Sequence, residues 1–170
     1  RVEGRAALAK LGDPVLEAVT KLLNDRKQRS DLRYRLPRLL RDVGNERALE
    51  VILFSNPVDD PFLQYRLSMA ACRIRETHPD VPFDRKRALD ATHRRLDGYE
   101  ALLPAARDLA VALGPSNLLV RALGDRLDQY LESAVRLAAL VFPHRQVVNA
   151  YNRFVDGDAK TRPYAIELLE

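Results

Sequence analysis

Several residue types that carry particular chemistries are scarce in this sequence. It has no tryptophan, one cysteine, seven glycines and 6% aromatic residues. The single thiol, Cys72, cannot form an internal disulfide, and its apolar neighbours predict a buried side chain rather than a reactive one. A membrane-spanning helix needs roughly 20 apolar residues, and Arg136 interrupts the most apolar stretch well short of that length. Nothing therefore indicates an oxidising compartment or a membrane span in these residues.

Metal or cofactor binding finds no support in the sequence. The three histidines are His78, His93 and His144. They lie far apart, and none has a second ligand three or four positions away, as a helical zinc site requires. Gly157 lies between two aspartates, but a calcium loop needs further carboxylates at alternating positions. We expect no metal and no other cofactor.

The candidate catalytic side chains also lack the arrangement that catalysis needs. They are three serines, Ser30, Ser55 and Ser116, and three carboxylates, Asp125, Asp128 and Glu132. The serines lie at expected loop or cap positions, outside a Gly-x-Ser-x-Gly turn. The carboxylates share one helix face but alternate with arginines, which predicts ion pairs within the helix. The sequence therefore predicts a chain that is not an enzyme.

What the sequence does contain favours helices. Hydrophobic residues make up 46% and charged residues 31% of its 170 positions, a composition typical of globular proteins. Leucine, alanine and arginine dominate, and all three favour helix. No segment shows sustained alternation of apolar and polar residues, so we predict no sheet.

A repeat runs through the first half of the chain. Leu32-Arg33-Tyr34-Arg35-Leu36 recurs as Leu63-Gln64-Tyr65-Arg66-Leu67, and Gly12-Asp13-Pro14 aligns with Gly44-Asn45-Glu46. The spacing is 31 to 32 residues, and each unit predicts two amphipathic helices. Such short hairpins bury their apolar faces only by stacking. We therefore predict one all-α solenoid domain over residues 1–170, with about 8–10 helices.

The predicted helices have recognisable ends. Expected N-caps are Asp13, Asn45, Asp84 and Ser116. Regular repeats should occupy residues 1–75, and longer, less regular helices residues 84–170. Pro104 should kink or split its helix. Pro37 leaves two alternatives, a helix that starts late, near Tyr34, or a kinked helix.

The repeat resembles the HEAT family. In that family an Asp near the turn between helices and an Arg early in the second helix form a ladder of polar contacts between repeats. The resemblance implies three such pairs here: Asp25 with Arg35, and less exactly Asp60 with Arg66 and Asp158 with Arg162.

Four longer stretches extend the resemblance. They are Arg33–Arg38, Val81–Asp84, Leu119–Leu123 and Asn149–Leu169. They resemble the soluble HEAT-like region of bacterial proteins similar to ATP/ADP translocases of major-facilitator type. This implies a non-catalytic scaffold or regulatory module on the cytoplasmic side of a nucleotide-transporter-like protein, contacting its membrane domain or neighbouring domains. Because the sequence begins at Arg1 and ends within a helical pattern, we expect a fragment of a longer protein.

The best candidate surface is a basic stretch. Residues 26–41 contain seven basic side chains and one acid, Asp31. The expected interaction surface comprises Arg33, Tyr34, Arg38 and Arg41. It suits phosphate, an acidic protein or anionic headgroups, unless the arginines form only a solvated face.

Two other functions stay open at this point. A nucleic-acid-binding domain, like the DNA glycosylases built on this repeat, would use the basic stretch between Arg26 and Arg41. The scarcity of aromatics and a net charge of only +4 weaken that reading. A lyase of the bilin-attaching kind would need a polar, titratable pocket, which the sequence does not show.

Overall fold

The computed structural model describes residues 12–55, 57 and 60–156, and these form helices and connecting loops without a strand. There are seven helices of eight or more residues and one helical turn in that part. In chain order they are α1 (Asp13–Asn24), α2 (Ser30–Arg33), α3 (Leu36–Val43), α4 (Glu46–Phe54), α5 (Pro61–Thr77), α6 (Arg85–Leu113), α7 (Leu118–Val141) and α8 (His144–Asp156). None of these described helices is long and apolar enough to cross a membrane. The all-α prediction is confirmed.

The chain divides into two compact units, Arg1–Arg87 and Ala88–Glu170. The boundary falls inside α6, close to the point where the sequence predicts that regular repeats give way to longer helices. Each unit has its own packed helices.

The first unit contains two helical hairpins that pack side by side. α1 and α3 form the first hairpin, and α4 and α5 form the second. Across the hairpins, α1 packs on α4 and α3 packs on α5, while α2 contacts α3. Fully buried leucines fill the space between them, among them Leu16, Leu23, Leu40, Leu49 and Leu63. Burial of each such side chain stabilises the unit by about 1.5–3 kcal/mol.

The sequence repeat corresponds to a repeat of the backbone where each hairpin begins. Gly12 and Gly44 both have positive φ, 66° and 63°, a conformation that glycine adopts without steric cost. Gly44 also ends α3, because its N–H donates to the carbonyl of Leu40 at 3.0 Å. Asn45 caps α4 through a 2.9 Å bond from the amide of Ala48, as predicted.

The helix that contains Pro37 starts late, as in the first of the two alternatives, but at Leu36 and not near Tyr34. α2 ends at Arg33, the chain turns, and a new helix begins at Leu36 with Pro37 in its first turn. Proline is tolerated there because the first turn does not use its missing N–H. The first Leu-x-Tyr-Arg-Leu copy therefore spans a break, while the second lies inside α5. As a result Leu32 is 39% exposed and Leu63 is fully buried.

In the second unit, helix ends agree with the sequence in part. α6 runs through Pro104 without being split. Gly114, with φ of 79°, follows its last residue. The expected cap of α7, Ser116, is not the cap: the side chain of Asn117 accepts the amide of Leu119 at 2.9 Å. The helix starts one residue later than predicted, so the neighbouring amide side chain takes the capping position.

In the described part of the second unit, α7 contacts both of the other helices, α6 and α8. α7 packs against α8. At Gly98 in α6, an added Cβ would lie 2.6 Å from Cε1 of Tyr130 in α7. The absence of a side chain at Gly98 therefore lets the tyrosine ring lie against the helix backbone.

Candidate functional site

A groove between α3 and α5 is the candidate functional site of the first unit. Its cavity volume is about 340 Å³. Four arginines and five apolar or aromatic residues line it: Arg38, Arg41, Arg66, Arg73, Pro37, Phe62, Tyr65, Met69 and Ala70. We call this feature the arginine groove.

Helical periodicity places these side chains together. Arg38 and Arg41 lie one turn apart on α3, and Phe62, Tyr65 and Arg66 lie within one turn at the start of α5. Residues three or four positions apart share a helix face. Because α3 and α5 pack together, the two faces form the opposite sides of one groove.

The charge of the arginine groove is only partly compensated. None of its lining residues is acidic. Arg41 forms an ion pair with Asp42 at 3.0 Å, and Arg73 forms one with Glu76 at 2.6 Å. Neither carboxylate lines the groove. In the part of the chain that the structure covers, Arg38 and Arg66 have no carboxylate partner. Two guanidinium groups therefore contribute uncompensated positive charge.

Burial and electrostatic repulsion both act on Arg66. Burial, followed by the nearby charge of Arg38, lowers the pKa of Arg66 from its ordinary value, and Tyr34 opposes that shift. Arginine stays protonated at neutral pH despite such shifts. The pair of like charges consequently persists under physiological conditions.

Apolar surface is accessible beside these charges. Phe62 and Met69 are each 38% exposed. The ring of Phe62 meets that of Tyr34 edge-on at 5.0 Å, and the guanidinium of Arg66 lies 5.5 Å from its centroid. The groove thus combines an oriented aromatic ring, a flexible thioether and positive charge.

The structure places the four predicted surface residues in two different settings. Arg38 and Arg41 line the groove. Arg33 does not, because it is buried and donates to the carbonyl of Leu23 at 3.0 Å. Tyr34 does not line the groove either, but its ring contacts that of Phe62 edge-on.

The expected ladder pair of Asp25 with Arg35 is not what the structure contains. Asp25 accepts the amide of Lys27 at 2.9 Å, and Arg35 is exposed. Arg33 takes the inward position instead and lies 3.6 Å from a carboxylate oxygen of Asp60. The turn between α2 and α3 is the physical reason, since it directs Arg33 rather than Arg35 toward the neighbouring hairpin.

Of the other two expected ladder pairs, one is replaced by different contacts and one lies outside the described residues. Asp60 interacts with Arg33 and caps α5 by accepting the amide of Leu63 at 3.0 Å. Arg66, its expected partner, lies in the groove instead. Asp158 and Arg162 lie outside the described residues.

Sequence reasoning missed the α5 side of the groove. The basic stretch includes the arginines of α3. The groove residues of α5 do not belong to a run of like charge: Phe62, Tyr65, Met69 and Arg73. Their spacing of three or four residues was the available signal, because it marks one face of a helix. Only the packing of α5 on α3 shows that this face meets the arginines.

The other candidate side chains do not form a second site in the described residues. No group of three metal-ligating side chains occurs there. Cys72 is buried, and Glu132 pairs with Arg136 one turn along α7, as the sequence predicts.

No family model, curated protein or solved structure matches this chain. The likeness to HEAT repeats accordingly rests on the residues quoted above.

Proposed function

We propose that this chain is a non-catalytic interaction module of HEAT-like helical hairpins, which binds a protein partner through the arginine groove. The observation that carries the proposal is the juxtaposition of two uncompensated arginines, Arg38 and Arg66, with the exposed side chains of Phe62 and Met69. Aromatic side chains, methionine and arginine are the residue types enriched in protein interfaces.

The packing of the first unit supports a repeat module. First helices pack on first helices, α1 on α4, and second helices pack on second helices, α3 on α5. In a helical solenoid each repeat contacts its neighbours, and the stacked repeats form an extended binding surface. We extend this arrangement as a proposal to the less regular part of the chain.

The proposed setting of the module comes from the sequence resemblance. We propose that it is the cytoplasmic part of a nucleotide-transporter-like membrane protein and contacts that protein's other domains. The parent gene tests this, because it should encode several hydrophobic spans in the same reading frame. A parent gene without them would contradict the setting and leave the binding function intact.

Nucleic acid is the second candidate partner, favoured by the four arginines of the groove. Binding to a labelled 20-base-pair DNA duplex should then weaken steeply as salt rises, because counterions are released. Measurement of fluorescence anisotropy at two salt concentrations tests it. Absence of binding at low salt would exclude this candidate.

Selection of displayed peptides tests the proposed function directly. Random peptides on phage should yield a family of related peptides that bind the intact chain. Members of this family should compete with one another for one site. A matched selection on a variant with Arg38→Gln and Arg66→Gln should not enrich that family. Failure to enrich any family from the wild-type selection would count against an interaction module.

A further inference from the structure

We infer that the arginine groove receives an acidic peptide segment in which carboxylates flank one large apolar side chain of the partner. This inference rests on the proposed function and adds the chemistry of the partner. Three features of the groove support it: the uncompensated charges, the exposed apolar side chains that line it with them, and the partly exposed ion pairs of its other two arginines.

The uncompensated charges indicate an anionic ligand. Arg38 on α3 and Arg66 on α5 line the same cavity. After burial, the charge of Arg38 is the next largest cause that lowers the pKa of Arg66. Neither has a carboxylate partner among the described residues. Two like charges held together destabilise the free protein, and an anion between them removes that cost. The planar guanidinium fork matches a carboxylate in a bidentate arrangement.

The exposed apolar surface indicates that the anion is attached to an apolar group. Phe62 and Met69 leave more than a third of their surfaces open to solvent. Methionine adapts its shape to different apolar partners. The volume of about 340 Å³ lies at the small end of ligand pockets, which span about 300–1,000 Å³. One large aliphatic or aromatic side chain with its adjoining backbone suits this space.

The other two arginines of the groove offer further positive charge. Arg41 and Arg73 pair with Asp42 and Glu76, and both pairs are partly exposed. Exposed ion pairs stabilise a protein little, so they exchange partners readily. Arg41 lies one turn from Arg38, and Arg73 two turns from Arg66 along α5. Carboxylates before and after the apolar residue of a peptide can therefore both find a guanidinium.

Nucleic acid suits the groove less well than an acidic peptide. Strand recognition relies on aromatic faces that are free to stack with bases. The ring of Phe62 already contacts the guanidinium of Arg66 and the ring of Tyr34. The four arginines also line one compact cavity, whereas proteins that bind single strands use a charged groove that follows the backbone over about 4–16 nucleotides.

A synthetic peptide series tests the inference on the intact chain. The probe is a fluorescein-labelled peptide with a central leucine and two glutamates on each side. Fluorescence anisotropy should show binding that weakens with salt. Replacement of the glutamates by glutamine should weaken binding by about tenfold or more, because each lost charge-assisted bond contributes strongly. Replacement of the leucine by serine should also weaken it.

Protein variants locate the peptide. Arg38→Gln with Arg66→Gln should weaken binding by about 10- to 100-fold. Lys21→Gln with Arg107→Gln removes the same charge from exposed positions outside the groove and should bind as the wild type. Because the groove arginines repel each other, the first variant should keep its melting temperature within about 4 °C of the wild type. Loss of binding then does not result from unfolding.

Several outcomes would overturn the inference. Equal binding by both double variants would remove the groove as the site. Equal binding of the glutamine peptide would remove the acidic requirement. Tighter binding of an oligodeoxythymidine strand or of phosphatidylserine vesicles would show that the anion in the groove does not come from a peptide. If displayed peptides bind but none needs carboxylates, the inference fails and the interaction module stands. If no peptide binds at all, both fail.

Discussion

Replacement of Arg33 by methionine should destabilise the first unit far more than the same change at Arg35. Arg33 is 8% exposed, donates to the carbonyl of Leu23 and lies beside Asp60. Methionine would leave that carbonyl without its donor and the mostly buried carboxylate of Asp60 without its cation. Arg35 is exposed, so its replacement removes no comparable contact.

The magnitude follows from these two contacts. A hydrogen bond from a charged donor contributes about 1.5–3 kcal/mol, and loss of one partner from a buried ion pair costs about 3–5 kcal/mol. Asp60 keeps the amide of Leu63 as a donor, which reduces the cost of losing its ion-pair partner. We expect the free energy of unfolding to fall by about 3–4 kcal/mol for Arg33→Met and by under about 0.5 kcal/mol for Arg35→Met.

Urea denaturation followed by circular dichroism measures both variants, and hydrogen exchange of the α5 amides locates the loss. A double-mutant cycle with Asp60→Asn should give a coupling of about 1–3 kcal/mol. Equal losses at positions 33 and 35, or zero coupling between Arg33 and Asp60, would refute the assignment of Arg33 to the contact between hairpins.

Two further predictions concern the second unit. Gly98→Ala should lower the stability by about 1–3 kcal/mol because its methyl group would overlap the ring of Tyr130, whereas Gly124→Ala, with open space around it, should raise it by about 0.5–1 kcal/mol. Melting curves compare the two, and a stabilised Gly98 variant would contradict the close contact. Asn117→Ala should cost about 0.5–2 kcal/mol through the lost cap of α7, and Ser116→Ala should change little. The reverse order would show that the serine caps the helix.

Local signals in the sequence predicted much of the secondary structure. Caps such as Asn45 and stops such as Gly44 act through their immediate neighbours, so they can be read without tertiary information. The start of α3 was ambiguous because Pro37 fits a late start and a kink equally well. The choice between Asn117 and Ser116 depended on a difference of one residue in the helix start, which lies within the usual imprecision of helix ends.

The candidate site was only half visible in the sequence. Arg38 and Arg41 stood out because they belong to a basic stretch. The groove residues on α5 begin at Phe62, 24 positions after Arg38, so no local pattern connects them with α3. The ladder residue was also misassigned. Arg35 was expected in the ladder because of the resemblance to HEAT repeats, in which the Arg lies early in the second helix. The turn before Leu36, which the sequence left undecided, directs Arg33 inward instead.

The central claim is that an acidic protein segment binds in the arginine groove, and the side-chain Nε–H signals of the arginines test it most directly. In a nuclear magnetic resonance titration of the labelled chain with the glutamate-leucine peptide, the signals of Arg38 and Arg66 should shift in a saturable manner. The signal of Arg107, an exposed arginine of the second unit, should stay in place. Unchanged groove signals at saturating peptide, or equal shifts at all three arginines, would contradict the account.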